Sequence, residues 1–84
     1  MVKKILCRYE DCVRIKEALI RLMNRAGLVS IADYYDTAKV SLRCGMHEYA
    51  LGWDSVDEMD KIRVRRGDAS GLYFLKLPYP KVLG

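Results

Sequence analysis

One stretch of regular helical periodicity constrains this chain of 84 residues more than any other feature. Between Asp11 and Ala26 the apolar side chains recur every three or four positions, which is the spacing of a helix with one buried stripe. They are those of Cys12, Ile15, Leu19, Leu22, Met23 and Ala26. Glu10 at the start and Arg25 near the end have the signs that the helix dipole favours, and Gly27 suits the left-handed position after a helix. The stretch therefore predicts an amphipathic helix whose stripe the rest of a short chain must cover.

A second, shorter helix is predicted from Ile31 to Ala38. Ser30 and Asp33 have the spacing of a capping box, with Asp in place of the usual Glu. Val29 before the cap and Tyr34 inside the helix fit a hydrophobic staple, which fixes the angle at which the chain enters a helix.

Alternating apolar and polar residues predict short strands around the only tryptophan. Val40 to Cys44 alternate, and so do Tyr49 to Trp53. The polar segment 54–60 predicts a turn or a single turn of helix. Lys3 to Cys7 are compatible with an edge strand or with an extended lead-in to the first helix.

A β-hairpin is predicted near the C-terminus, with one strand in residues 61–66 and the other in residues 71–78. Ile62 and Val64 fall on one face of the first strand, and Arg63 and Arg65 fall on the other. Pro78 and Pro80 lack the amide hydrogen that a sheet requires, so we expect an extended tail from about residue 78.

These elements together predict a single small α+β domain spanning residues 1–84. An N-terminal amphipathic helix and a short second helix pack on a small antiparallel sheet that includes the C-terminal β-hairpin. The expected core residues are Leu19, Leu22, Tyr35, Trp53, Val64 and either Tyr73 or Phe74.

Charge is distributed unevenly along the chain, whose net charge is +4. Residues 1–29 carry seven Lys or Arg and three acidic side chains, residues 30–60 carry two and seven, and residues 61–84 carry six and one. The segments either neutralise one another across the fold or form a basic surface able to attract nucleic acid or an acidic partner. The sequence has neither a bilayer-spanning apolar run nor a signal peptide, which predicts an intracellular protein without a membrane partner.

Three cysteines, Cys7, Cys12 and Cys44, cannot all pair within one chain, so reduced thiols are expected in place of a disulfide framework. Together with His47 they supply the ligand types of a tetrahedral zinc site, but their spacing is not that of a standard zinc finger. Cys12 also belongs to the apolar stripe of the first helix, where a buried thiol packs well. We therefore predict no cofactor and keep these four residues as a weak metal candidate.

The segment CGMHEYALGW, residues 44–53, contains the only histidine and the only tryptophan of the chain. Cys44 and His47 are the only local pair suited to cysteine catalysis, and nothing marks a third residue to orient them, so no enzyme is predicted. Trp53 beside Gly52 is interpreted as a core anchor. The exposed edge of the segment, His47 with the neighbouring Glu48 and Tyr49, is a candidate partner-binding site.

A second cluster of polar residues follows this segment, and its members are Asp54, Asp57, Glu58 and Asp60. These carboxylates lack the alternate-position ligands and the central glycine of an EF-hand loop. The cluster is interpreted as a solvated acidic loop or as a docking surface for a basic partner.

Several motifs follow one another in an order that is typical of one group of proteins. VSIADYYDTAKV at 29–40 is followed by Leu51-Gly52-Trp53, by the basic strand Ile62 to Arg66, by Tyr73, and by Leu77-Pro78-Tyr79-Pro80. This order resembles a family of small phage- and prophage-encoded proteins with VSVADLYDLVG, YTDNKYGW, VRVRxGY and LPKP-like motifs.

The resemblance implies a phage or prophage accessory protein. Such a protein would act in the host cytoplasm by binding a host protein, for example a component of a defence system, and it could also form a homodimer. The alternative from the residues is a small, winged-helix-like nucleic-acid-binding protein that uses the hairpin residues Arg63, Arg65 and Arg66. The second helix carries the acidic residues Asp33 and Asp36, which argues against its being a recognition helix that enters the major groove of DNA.

Overall fold

The computed structural model describes residues 2–40, 43–67 and 70–83. It confirms the α+β class. The elements in chain order are α1 (Tyr9–Ala26), β1 (Val29–Ser30), α2 (Ile31–Thr37), α3 (Met46–Ala50), β2 (Leu51–Trp53), α4 (Val56–Asp60), β3 (Arg63–Arg66), β4 (Tyr73–Lys76) and β5 (Lys81–Val82). The predicted strand at 40–44 includes residues 41 and 42, which lie outside the described residues.

The predicted amphipathic helix is confirmed as α1, which begins two residues earlier than the periodicity indicated. Its stripe buries Cys12, Ile15, Leu19 and Met23. Gly27 has a φ of 81°, and its backbone N–H donates to Met23 O at 2.9 Å, which ends the helix in the left-handed conformation that glycine adopts readily.

The second helix is also confirmed, and it ends at Thr37. The Asp33 backbone N–H donates to Ser30 Oγ at 3.0 Å, and the Ser30 backbone N–H donates to an Asp33 carboxylate oxygen at 3.0 Å. This reciprocal pair satisfies two donors that the first turn of a helix leaves without partners. The helix buries Ile31, Tyr34 and Tyr35 against α1.

The strands form two antiparallel sheets where the sequence predicted one. One sheet has three strands in the order β1-β2-β5, and the other is the predicted hairpin β3-β4. In the hairpin, Arg63 lies opposite Lys76, Val64 opposite Leu75 and Arg65 opposite Phe74. The lead-in strand at residues 3–7 is reduced to a single bridge, in which Cys7 pairs with Tyr73 at the end of the hairpin.

The predicted strand from Tyr49 to Trp53 is wrong in its first half, because Met46–Ala50 form the short helix α3. The first turn is capped by Glu48, whose carboxylate accepts the backbone N–H of Gly45. The neighbouring strand β1 is only two residues long and pairs with Gly52 and Trp53, so its ladder does not extend to Tyr49.

The sequence predicted an extended tail from about residue 78 and did not predict a strand within it. The chain is extended there, but Lys81–Val82 form β5, which pairs with β2 at the edge of the three-stranded sheet. The Trp53 indole N–H donates to Pro78 O at 2.9 Å, and Pro80 is buried. Residues 78–83 are therefore part of the packed structure.

Residues of both sheets and of α1, α2 and α4 share one core cluster. Of the predicted core residues, Leu19, Tyr35 and Trp53 are buried. Four others are only half-buried, namely Leu22, Val64, Tyr73 and Phe74. In the hairpin Leu75 occupies the inward position, because the register places it opposite Val64. Within the described residues, no helix has the length and apolar character needed to cross a membrane.

Candidate interaction surfaces

The structure divides the candidate partner-binding residues between two surfaces. His47, Glu48 and Tyr49 lie on α3, next to the three-stranded sheet. Arg63, Arg65 and the neighbouring Arg66 lie on β3, and both strands of its hairpin pack against α1.

The first surface is an exposed apolar patch on α3. Met46 is 85% exposed and Tyr49 is 66% exposed, and their spacing of three residues places them on one face of the helix. Val82 of β5 is 74% exposed and lies beside the end of α3, since Leu83 N–H donates to Ala50 O at 2.8 Å. We call Met46, Tyr49 and Val82 the α3 patch. Methionine and tyrosine are enriched in protein interfaces relative to other surfaces.

Grooves border α3 on both sides. Tyr49 and Cys44 line one of them together with the α2 side chains of Asp33 and Asp36. Asp36 is exposed, so this rim of the α3 patch is acidic. His47 and Glu48 line the other groove with Ile31 and Leu51. Since Cys44 and His47 line different grooves, the structure does not form a shared cleft around them.

The second surface is the outer face of the β3-β4 hairpin. Arg63 lies directly opposite Lys76 and Arg65 directly opposite Phe74, and directly opposed residues project from the same face of a sheet. Lys4 Nζ lies 4.5 Å from the centroid of the Phe74 ring, so a cation of the N-terminal segment joins this face. We call Lys4, Arg63, Arg65, Phe74 and Lys76 the basic hairpin face.

The charges of the basic hairpin face are not neutralised within the described part of the chain. No ion pair there involves Lys4, Arg65 or Lys76, and β3 and β4 contain no acidic residue. Arg63 differs, because its guanidinium donates to Asp60 O at 2.7 Å and to Ile62 O at 3.2 Å. Like charges directly opposed in a sheet are destabilising, so the Arg63–Lys76 pair lowers the stability of the fold.

Arg66 does not belong to this face. It pairs with Tyr73, and the alternation along β3 places it on the same side as Val64. Tyr73 packs edge-on against Tyr9 of α1, with ring centroids 5.3 Å apart. The predicted arginine group is therefore split between the two faces of the hairpin.

Two of the three cysteines lie together. Cys7 Sγ and Cys12 Sγ are 3.0 Å apart. Burial, followed by the hydrogen bond with Cys7 and by nearby negative charge, raises the pKa of the Cys12 thiol to about 12. Cys44 lines the groove beside α2, and among the described residues no three His, Cys, Asp or Glu side chains group into a metal site. The four-residue zinc candidate is therefore not assembled in this structure.

Part of the acidic segment 54–60 forms a helix and ion pairs within the fold. Its residues 56–60 form α4, as the prediction of one helical turn allowed, and Ser55 caps that helix. Lys81 Nζ lies 3.0 Å from an Asp54 carboxylate oxygen and 3.4 Å from a Glu58 carboxylate oxygen. The hydrogen bond between them lowers the pKa of Asp54 and raises that of Lys81. Asp57 and Asp60 remain exposed.

Sequence reasoning missed the members of both surfaces that come from distant segments. Met46 and Val82 were not predicted as partner-binding residues, and neither were Lys4 and Lys76. Lys76 was accessible to prediction, because pairing residue 63 with residue 76 follows once the length of the hairpin turn is known. The sequence around Lys4 and Val82 gave no comparable indication, since the positions of these two residues depend on contacts between segments that are distant in the chain.

Comparisons with known protein families, with curated proteins and with solved structures found no match for this chain.

Proposed function

We propose that this protein is a non-enzymatic accessory protein of phage or prophage origin that binds a host protein through the α3 patch. The exposure of Met46 and Tyr49 on one face of α3 is the observation that carries the proposal. The order of sequence motifs supports the phage origin, and a phage origin in turn supports action in the host cytoplasm, where components of defence systems are suitable targets.

The chemistry of the α3 patch indicates the kind of protein surface that fits it. Large apolar side chains left in water favour association, because burying them removes apolar surface from solvent. Asp33 and Asp36 lie on the rim of the adjoining groove. The partner surface is therefore apolar at its centre and basic at its edge, so that the opposite charges steer the encounter and fix its orientation.

A pull-down with matched variants tests this proposal. The tagged protein is incubated with lysate of a bacterial host, and the bound proteins are compared with those retained by a Met46→Ser, Tyr49→Ser double variant. Leu28→Ser with Tyr79→Ser is the control, because it removes two exposed apolar side chains elsewhere. We expect one stoichiometric partner to be retained by the wild type and the control and lost by the α3 variant. Equal retention by all three proteins would contradict the proposal.

A second function, binding of nucleic acid through the basic hairpin face, is favoured by a separate observation. Arg65, Lys76 and Lys4 converge on one face without ion-pair partners among residues 2–40, 43–67 and 70–83. A polyanion bound there would relieve the repulsion between Arg63 and Lys76, and Phe74 offers an aromatic ring to an unpaired base.

The salt dependence of binding tests this second function. Fluorescence polarisation is measured on labelled duplex and single-stranded oligonucleotides at increasing salt. The logarithm of the binding constant falls linearly with the logarithm of the salt concentration, and each phosphate contact contributes about 0.9 to this slope for duplex and about 0.7 for single strands. Arg65→Ala with Lys76→Ala should flatten the slope by roughly one unit per lost contact. Arg63 is left in place because its guanidinium also holds two backbone carbonyls.

The matched control removes the same charge from another surface. Arg21→Ala with Arg25→Ala changes two exposed residues of α1, and it should lower the affinity without an equal change in slope. No binding to either oligonucleotide at low salt, or identical slopes for the two double variants, would rule out the basic hairpin face as a nucleic-acid site.

A further inference from the structure

Two thiol side chains lie together where the N-terminal segment meets α1. Cys7 Sγ and Cys12 Sγ are 3.0 Å apart, close enough for one thiol to donate a hydrogen bond to the other. This separation is only about 1 Å longer than the sulfur–sulfur bond of a disulfide. A small rotation of one side chain would therefore bring the two sulfurs to bonding distance.

The backbone holds both cysteines in place. Cys7 N–H donates to Tyr73 O at 2.8 Å, and Tyr73 N–H donates to Cys7 O at 2.7 Å, which fixes Cys7 to the end of the hairpin. Cys12 lies in the first turns of α1, and its N–H donates to Arg8 O at 3.0 Å. Because neither backbone is a loose loop, the approach of the two sulfurs follows from the fold and not from a chance arrangement of a chain end.

The two thiols differ in access. Cys12 is completely buried, whereas Cys7 is half-buried. An oxidant in solution therefore reaches Cys7 first, and Cys12 lies behind it with its sulfur within contact distance. This is the arrangement of a pair in which one cysteine is oxidised and the second resolves the product.

We propose that Cys7 and Cys12 form a redox-modification site that a peroxide converts into an intramolecular disulfide. The Cys7 sulfur, as thiolate, attacks one peroxide oxygen, the oxygen–oxygen bond breaks, and Cys7 becomes a sulfenic acid. The other oxygen leaves as hydroxide, which takes up the proton that the Cys7 thiol released and becomes water. The Cys12 sulfur then attacks the Cys7 sulfur, the sulfur–oxygen bond breaks, and the departing hydroxide takes the Cys12 proton to form a second water. Two thiols are oxidised and one hydrogen peroxide is reduced.

The disulfide would connect two parts of the fold that are otherwise joined by hydrogen bonds. It would attach the segment that pairs with Tyr73 covalently to α1, next to the contact between Tyr9 and Tyr73. Cys44 takes no part, because it lines the groove beside α2. This inference does not depend on which partner the protein binds.

The test uses the full chain with Cys44→Ser, which leaves only the two cysteines of the proposed site. The reduced, folded protein is treated with one equivalent of hydrogen peroxide, and its thiols are then titrated under denaturing conditions and its mass is measured. We expect both thiols to disappear together, with a mass lower by two hydrogen atoms, and dithiothreitol to restore both. The same treatment of the wild type should leave one thiol, mapped to Cys44 by peptide analysis.

Two further variants separate the roles of the two sulfurs. With Cys44→Ser, adding Cys12→Ser should leave Cys7 to gain oxygen atoms, whereas adding Cys7→Ser should leave the buried Cys12 thiol intact. The proposal is overturned if the Cys44→Ser protein retains two titratable thiols, gains oxygen without losing hydrogen, or becomes a disulfide-linked dimer on a non-reducing gel. The first measurement needs no substitution in the core, so poor folding of the Cys12 variant would not decide the result.

Discussion

Gly52 shows how a single side-chain atom can be excluded by the backbone of a neighbouring strand. An ideal Cβ at this position would lie 2.0 Å from Val29 O and 2.7 Å from Ser30 Cα. These are backbone atoms of β1, which is held on its other side by the capping box of α2, so they cannot move away at low cost. The close approach of β1 and β2 therefore requires glycine at residue 52.

Gly52→Ala is predicted to destabilise the protein by about 3 kcal/mol, near the upper end of the usual cost of overpacking. Chemical denaturation followed by Trp53 fluorescence measures the change. Gly45→Ala is the matched control, because a Cβ there would meet only Glu48 Oε1 at an ordinary 3.5 Å, and its effect should stay below about 1 kcal/mol. Equal effects of the two substitutions would mean that the close approach is not what selects glycine at residue 52.

At the scale of single elements, the sequence predicted those whose signals are local. The stripe of α1 repeats over four turns, and the capping residues Ser30 and Asp33 lie within one turn of α2. The hairpin was predicted because β3 and β4 are close in sequence and because apolar and polar residues alternate at the start of β3. Its outer face was predicted in part, since Arg63 and Arg65 share it but Arg66 does not.

The elements that sequence reasoning misplaced depend on contacts between distant residues. Tyr49 to Trp53 alternate as a strand would, but β1 is long enough to pair only with Gly52 and Trp53, so the preceding residues form α3 instead. Lys81 follows two prolines, and nothing in the sequence indicates that it pairs with Gly52. The α3 patch requires both of these elements, which explains why only Tyr49 among its members was predicted.

On the scale of the whole molecule, α1 joins two sheets that share no hydrogen-bonded strand. Trp53 from the three-stranded sheet and Leu75 from the hairpin belong to the same buried cluster as Leu19 of α1. Neither a two-stranded hairpin nor strands of two or three residues are stable alone in water. We therefore infer that the sheets depend on one shared core and should unfold together.

Leu19→Ala tests this dependence, because Leu19 is completely buried in the cluster that both sheets contact. The loss should be about 3 kcal/mol, a large part of the roughly 4–13 kcal/mol expected for a chain of this length. Urea unfolding is followed by Trp53 fluorescence, which reports the three-stranded sheet, and by far-ultraviolet circular dichroism, which reports the helices. Both midpoints should fall together, whereas Arg21→Ala on the exposed side of α1 should leave both nearly unchanged. Separate midpoints in the wild type, or a shift in only one signal, would show that the two sheets are stabilised independently.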